Sequence, residues 1–522
     1  MNEKHSGSYY TPNETIAFAL SYITDQNKKI STILEPCFGD GRFIDYLSYL
    51  PNVTKITGIE LYKNKITTYM KKQKNKIVTL IHSDFLKYAN TTNDKFNLII
   101  GNPPYINIKN MSKQTLKLGK SICLEHKLPE NIFQNIWVGF LLASIELLIS
   151  SGSIFFILPN EFLQVQYAEK LRLFLETKFN TIHVITFKEL MFPKIEQETC
   201  LVYLTNNEKD LPYILYKHYE ELNSTKPVYE SRIERNKPLK KWSNAILSDC
   251  EHELLSKLSY NYSRISELIY CAPGIVTAAN REFILSHSEV KKYQCDDYVI
   301  PIISKAAMVR NEFEISDDLL TLLSTKDTKL YLLNLYNYEF SDLPKNLQQY
   351  LSQIAIIKRK GIELQNSYKC SRRKKWYGIQ ITQPGPVLFF KRYDIAPRVI
   401  LNPNLIHTTD IAYNIKFTKD IDPESFVFCF YNSFTLAQCE FSGRYYAGGV
   451  SELTPNEFRS LSLPYRKIDS CDLSTFKTMI KSNEPIYNIL SFVNSKTLNA
   501  ELSLNEIQQV ENIRKKLLTR RR

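Results

Sequence analysis

The sequence predicts an α/β protein: a doubly wound, Rossmann-like N-terminal domain followed by a mixed α+β domain. Three observations carry this. Five apolar runs, at 32–34, 56–59, 78–81, 96–100 and 154–158, have the length and composition of buried strands. Amphipathic stretches lie between several of them, and strand alternating with helix is the pattern of a largely parallel sheet. The length, 522 residues, makes two or three domains at about 100–200 residues each.

The elements follow in order. Thr11-Pro12-Asn13-Glu14 opens the first helix, with Thr11 as cap, Pro12 in the first turn and Glu14 completing a capping box. The four strand-like runs from Thr32 to Ile100 come next. The region from Phe140 to Leu158 is interrupted by Glu146 and by the polar residues 150–153, so it reads as a buried helix and then a strand, not a membrane span. Near 205–210 the alternation gives way to Lys- and Glu-rich residues that continue to about Trp242. The division is therefore a first domain over 1–215, a linker over 216–245, a second domain over 246–480 and a C-terminal helical segment over 481–522. In the second domain β-like runs at 387–390, 398–401 and 426–430 mix with helical segments. A last helix starts from Ser503, with Glu506 three residues on and Leu504, Ile507, Val510, Ile513 and Leu517 on roughly one face.

Composition narrows the function. Hydrophobic residues are 43% and charged residues 23%, as in a folded globular chain, and 15 Gly are far too few for Gly-rich repeats. Lys plus Arg exceed Asp plus Glu by 67 to 54, a net +13, which favours a polyanionic partner: nucleic acid or an acidic membrane surface. The 10 Cys form no C-x-x-C pair and the 8 His no H-x-x-x-H or H-x-E spacing. Metal and disulfide frameworks therefore have little support, and a reducing cytoplasm is expected. The polar Met1-Asn2-Glu3-Lys4-His5 opening shows no signal peptide.

Each strand end in the first domain is followed by a residue suited to a nucleoside ligand. The first leads into Glu35-Pro36-Cys37-Phe38-Gly39-Asp40-Gly41, a G-x-G turn that lets backbone approach a ligand, though alone it is equally a strand-to-helix connection. The second ends at Glu60, an acid placed for ribose hydroxyls, and the third leads to Asp84-Phe85, an acceptor for an adenine amine beside a ring. Singly, each is also an ordinary loop acid. The fourth leads to Asn102-Pro103-Pro104-Tyr105. An exocyclic amine is a poor nucleophile because its lone pair is delocalised, so a site that alkylates it needs acceptors holding the nitrogen toward sp3 geometry. The Asn102 side-chain oxygen and Pro103 carbonyl supply two acceptors, the prolines stiffen the turn, and Tyr105 offers a stacking face.

In this order of motifs the chain resembles the S-adenosylmethionine-dependent N6-adenine DNA methyltransferases, specifically the gamma-type enzymes of type II restriction-modification systems. The resemblance runs from Tyr9-Tyr10-Thr11-Pro12 to about residue 205, with looser similarity at 274–280, 446–453 and 461–464. It implies that Thr11 and Glu35 contact the methionine moiety of S-adenosylmethionine, with Gly39 and Gly41 lining it. Glu60 would hold the ribose, and Asp84 and Phe85 the cofactor adenine. Asn102, Pro103, Pro104 and Tyr105 match the catalytic N-P-P-Y motif, while Asp40 receives no role.

The resemblance also implies that the target adenine is flipped from the duplex and stacked on Tyr105, with Phe192 of Met191-Phe192-Pro193 as a second ring; Phe192 reads equally as a core residue. The sulfonium activates the methyl group, so neither a metal nor a nucleophilic side chain is implied. Residues 1–215 become the catalytic domain and 246–480 the target-recognition domain, with DNA held between them. The basic cluster Arg372, Arg373, Lys374 and Lys375 beside Trp376 and Tyr377 suits phosphate contacts, or is a solvated loop. The runs at 514–516 and 520–522 are further phosphate contacts or solvent-exposed ends.

The expected activity is site-specific methylation of double-stranded DNA, protecting it from a cognate restriction endonuclease. That nuclease is expected as a separate protein, because no PD-(D/E)-x-K or H-N-H cluster is visible. Neither membrane nor metal partner is expected, and the location implied is the bacterial cytoplasm, at the nucleoid through DNA. Two alternatives share the motifs: an N-P-P-Y methyltransferase of RNA or a protein glutamine, and a degenerate non-catalytic DNA-binding subunit. About 300 residues beyond the catalytic unit and the basic charge favour DNA.

Overall fold

A computed structural model describes residues 10–26, 29–72, 75–192, 198–206, 211–235, 237–418, 420–446 and 448–521. Tyr9, Pro193, Ala447, Arg522 and the stretch 207–210 lie outside them. The chain forms two compact units, one of residues 1–252, 446–448 and 519–522, the other of 253–445 and 449–518.

The first unit is a nine-stranded mixed sheet in the order β3-β2-β1-β4-β5-β7-β6-β8-β9. The strands are β1 Thr32–Glu35, β2 Lys55–Glu60, β3 Val78–His82, β4 Phe96–Gly101, β5 Leu148–Pro159, β6 Thr181–Phe187, β7 Thr199–Thr205, β8 Tyr213–Tyr219 and β9 Tyr229–Glu234. Strands β1 to β5 pair in parallel. β7 runs antiparallel between β5 and β6, and β8 pairs parallel to β6. The chain winds outward from β1 to β3 and then returns to β4 on the other side of β1. The neighbouring carboxyl ends of β1 and β4 thus form the switch point where ligands of such sheets bind.

The helices that position the site are α1 Asn13–Asp25, α2 Arg42–Leu47, α3 Lys63–Lys72, α4 Phe85–Thr91, α5 Lys113–Glu125 and α6 Ile136–Glu146. Helix α6 is buried along most of its length, from Trp137 to Ser144, and leads directly into β5 as expected. One face of the sheet packs on Ile16, Ala19 and Ile23 of α1 together with Phe43 and Ile44 of α2. No helix among the described residues is long and apolar enough to cross a membrane.

Three local expectations are corrected. Pro12, not Thr11, is the N-cap of α1, no side chain caps it, and Thr11 is buried at 4% exposure. Residues 216–245 are not a linker: they complete β8, form β9 and end in a buried 3-10 turn at Trp242–Ile246. Their polar look comes from β9, where buried Ser231 and Ile233 alternate with exposed neighbours at the sheet edge. The 426–430 run is helix, Pro423–Phe430, because Asp422 accepts from Ser425 N (2.8 Å) and Pro423 sits in the first turn.

The second unit holds an antiparallel sheet ordered Ile269–Pro273, Ala412–Phe417, Val387–Phe390, Arg398–Leu401, and a second four-stranded sheet including Val299–Ile303 and Tyr331–Leu333. Residues 481–518 contribute the helix Ile486–Thr497 and most of Leu504–Thr519, whose Ser503 and Glu506 form the expected reciprocal cap. Of the terminal cations, Arg514, Arg520 and Arg521 are buried, while Lys515 is exposed. Arg514 is buried against Glu511 at 2.7 Å, and within the first unit Arg520 donates to the Ser243 carbonyl at 3.0 Å and to the Asn244 side chain.

Candidate active site

The carboxyl ends of β1 to β4 bring most of the predicted residues together. A cleft in the first unit is lined by Gly39, Glu60, Asp84, Phe85, Asn102 and Pro104. A larger groove between α1 and residues 219–225 holds none of the predicted residues.

The turn after β1 needs its glycines. Gly41 has φ +88°, and a Cβ there would fall 2.2 Å from the Tyr69 ring, so neither the backbone nor the packing admits a side chain. Gly39 has φ +62°, and its N–H donates to Glu60 Oε2 at 3.1 Å. Glu60 Oε1 accepts from Tyr62 N at 2.9 Å, so this carboxylate ties the glycine turn to the end of β2. Asp84 caps α4 through Oδ1, which accepts from Leu86 N at 2.9 Å, and the buried Phe85 ring packs on Phe140 with centroids 4.8 Å apart.

Glu35 is 2% exposed, and its Oε2 has no hydrogen-bond partner among the described residues. Burial, and then the negative charges of Asp40, Glu60 and Asp45, push its carboxyl well above the usual range. A buried carboxyl oxygen without a partner calls for a ligand group to meet it, and a cation there would favour the ionised form. Such an acid beside the glycine turn, with Asp84 and Phe85 in the cleft, fits a nucleoside that also carries a cationic group, as S-adenosylmethionine does.

Asn102 follows β4. Its Nδ2 donates to Thr11 Oγ1 at 3.3 Å, and its backbone carbonyl accepts from the Cys37 thiol at 3.2 Å. Burial pushes the Cys37 thiol up, so it stays protonated and able to donate. Tyr105 donates its hydroxyl to the Ile157 carbonyl of β5 at 3.0 Å, which fixes the ring, and burial raises its pKa well above the ordinary value.

Phe192 does not line this cleft, and the basic cluster is divided. Phe192 is 6% exposed and packs in the sheet core with Met191, Ile185 and Leu201. In the second unit the basic cluster is split. Arg373 turns inward and donates to the carbonyls of Val276 (3.0 Å), Thr277 (2.8 Å) and Trp376 (3.3 Å), with burial lowering its pKa. Lys375 is held by Glu339 and the Tyr338 carbonyl, both at 2.8 Å. Only Arg372, stacked on Tyr368 at 3.8 Å, and Lys374 remain exposed.

The sequence reading missed a basic hairpin nearby, Lys358–Arg359 paired with Ile362–Glu363. Lys360 (φ +50°) and Gly361 (φ +81°) form its turn, and a Cβ on Gly361 would touch nothing within 4 Å, so the tip projects. Arg359 is paired with the buried carboxylate of Glu282, while Lys358 and Lys360 are exposed. The Lys-Arg-Lys-Gly string was the available signal.

Two family models match the chain: the Eco57I restriction-modification methylase over residues 28–192, and the C-terminal domain of type II methyltransferase M.Eco57I over 239–498. The type II methyltransferase M.AccI of Acinetobacter calcoaceticus is 25% identical over 479 residues, 87% of this chain and 85% of the relative. M.HincII of Haemophilus influenzae is 32% identical over 185 residues, covering 35% of this chain and 34% of that protein. Among solved structures, the type IIL restriction-modification enzyme MmeI in complex with DNA aligns over 99% of this chain and 79% of its own, with a TM-score of 0.61 and 12% identity, a likeness of fold.

Proposed function

We propose that this member of the type II restriction-modification methyltransferase family transfers a methyl group from S-adenosylmethionine to N6 of a flipped-out adenine in a specific double-stranded DNA sequence. The observation that carries the reading is Asn102-Pro103-Pro104-Tyr105 directly after β4, with Asn102 and Pro104 lining one cleft with Glu60, Asp84 and Phe85. When bound, S-adenosylmethionine supplies a methyl group already activated on a sulfonium. The protein holds it: Glu35 against the cationic methionine end, with Gly39 and Gly41 lining that moiety. Thr11 shares that end by resemblance, Glu60 takes the ribose, and Asp84 with Phe85 the adenine ring.

The Asn102 side-chain oxygen and the Pro103 carbonyl accept from the N6 hydrogens and keep the amine lone pair free to attack the methyl carbon; the carbon–sulfur bond would break onto sulfur, and one N6 hydrogen would then be lost as a proton to water. Extruding the base costs a few kcal/mol, which stacking on Tyr105 offsets. Phe192 joins the stack only if its ring leaves the core. The product methyl group would protect the site from a separately encoded endonuclease. DNA isolated from cells that express the protein should carry N6-methyladenine at one recurring sequence; methyl groups only in RNA or protein would overturn the reading.

Asp84 both caps α4 and is assigned to the cofactor, and two variants separate the roles. Asp84→Ala is expected to weaken cofactor binding and to cost about 1 kcal/mol of stability. Asp84→Ser keeps a capping oxygen and should restore the stability alone. An unchanged cofactor dissociation constant in both would remove Asp84 from the cofactor site.

The exposed cations Arg372, Lys374, Lys358 and Lys360 are proposed to meet DNA phosphates, with Arg359 and Arg373 anchoring them. Removing Lys358 and Lys360 together should reduce the salt dependence of DNA affinity by about one power of salt per lost contact. A slope equal to that of the unaltered protein would place the hairpin off the DNA.

A further inference from the structure

The basic hairpin of the second unit carries a side chain that neither its fold nor a phosphate contact accounts for. Its strands, Lys358–Arg359 and Ile362–Glu363, are joined by Lys360 and Gly361, both at positive φ, as a tight two-residue hairpin turn requires. The base is fixed. Leu364 is buried in the core of the unit, and its N–H donates to the Ile357 carbonyl at 2.9 Å. Arg359 Nη2 donates to both oxygens of the buried Glu282 carboxylate at 2.5 Å. Glu363 accepts from the side chains of Gln365 (3.1 Å) and Asn366 (3.2 Å). Lys358 and Lys360 are the exposed cations of the hairpin, and beside the turn Ile362 is 54% exposed.

A single exposed isoleucine means little by itself. At the tip of an anchored ribbon flanked by two cations, it stands where a polyanion would be held, yet phosphates offer it nothing to bind. The apolar group that DNA displays is the C5-methyl of thymine, in the major groove. That groove admits a two-stranded ribbon and is about 8.5 Å deep. From Leu364 to the tip at Gly361 the strand extends about 10 Å, at roughly 3.3 Å per residue, enough to reach the groove floor.

We propose that this hairpin is a base-reading element that enters the major groove of the target duplex, with Ile362 against a thymine methyl group and Lys358 and Lys360 on flanking phosphates. The inference rests on the DNA reading and deepens it by naming a residue that sets sequence preference.

Selection of duplexes from a random-sequence pool by the full chain, with no methyl donor added, measures binding without turnover. In the selected duplex each thymine is then replaced in turn by uracil, which lacks only the methyl group. The unaltered protein is expected to lose about fourfold in affinity at one of these positions, the worth of one buried methyl-sized group. Ile362→Ala should bind the thymine duplex about fourfold more weakly or worse, and should be indifferent to uracil at that position, because the two changes remove the same contact. Its salt dependence should equal that of the unaltered protein, since no cation is lost. Ile356 is 62% exposed but precedes the hairpin strands, so Ile356→Ala should change neither the affinity nor the uracil penalty.

An Ile362→Ala protein that keeps the uracil penalty, or an unaltered protein that ignores every uracil, would overturn the hairpin's role and leave sequence-specific DNA binding in place. Enrichment of no sequence by the unaltered protein would overturn both. An uracil penalty that depends on Ile362, without methyl transfer when S-adenosylmethionine is added, would overturn the reaction and leave the hairpin standing.

Discussion

Asn102→Ala is expected to lower the single-turnover rate of methyl transfer by about 10²–10³-fold or more, the scale seen when one preorganised polar group is removed from a transition state. The N6 lone pair is unavailable while it is conjugated with the ring. Asn102 Oδ1 and the Pro103 carbonyl act by accepting from both N6 hydrogens as the nitrogen becomes tetrahedral, an interaction that strengthens toward the transition state and so appears in the rate. Losing the 3.3 Å bond to Thr11 costs only about 1 kcal/mol of stability, so the variant should fold. The cofactor contacts assigned to Glu35, Glu60 and Asp84 remain, and the cofactor dissociation constant should change little. Substantial residual turnover in Asn102→Ala would remove Asn102 from the mechanism.

Glu35→Gln is expected to weaken cofactor binding by about 10²-fold or more, because it removes one partner of a buried ion pair that forms when the cationic ligand binds. Its effect on the ligand-free protein has the opposite sign. The Glu35 carboxyl is held well above its ordinary value by burial and then by Asp40, Glu60 and Asp45. Between its ordinary value in the unfolded chain and its raised value in the folded one, the folded state keeps a proton that the unfolded state has lost. Stability is therefore lost as pH rises through that window, and Gln removes the loss. At neutral pH the ligand-free variant should melt higher than the unaltered protein, by roughly 1–2 °C per kcal/mol recovered, and the difference should vanish in acid below the unfolded carboxylate value. Equal cofactor affinity in the two proteins would show that Glu35 does not meet the cofactor.

The positions of β1 to β4 were legible because buried parallel strands read as unbroken apolar runs, and such sheets bind ligands where those runs stop. Glu35, Glu60, Asp84 and Asn102 all lie at those stops. What escaped the sequence depends on partners distant along the chain. The Phe426–Phe430 run has no period to distinguish a short strand from a buried helix, and the signal that decides it, Asp422-Pro423, lies outside the run. β9 was hidden because an edge strand exposes every second residue. Nothing in the sequence distinguishes Arg373 and Lys375 from Arg372 and Lys374, because the carbonyls of Val276 and Thr277 and the carboxylate of Glu339 that hold them are distant along the chain. A Thr-Pro pair before an apolar period has the form of a helix start, whereas the Thr11 hydroxyl is engaged by Asn102.

The most direct test offers the purified protein labelled S-adenosylmethionine with DNA, RNA and protein in parallel, followed by nucleoside analysis of the labelled product. The account predicts that label enters double-stranded DNA alone, is recovered as N6-methyladenine, and saturates at one site per copy of a single sequence. Label recovered on cytosine, in RNA or in protein would contradict it.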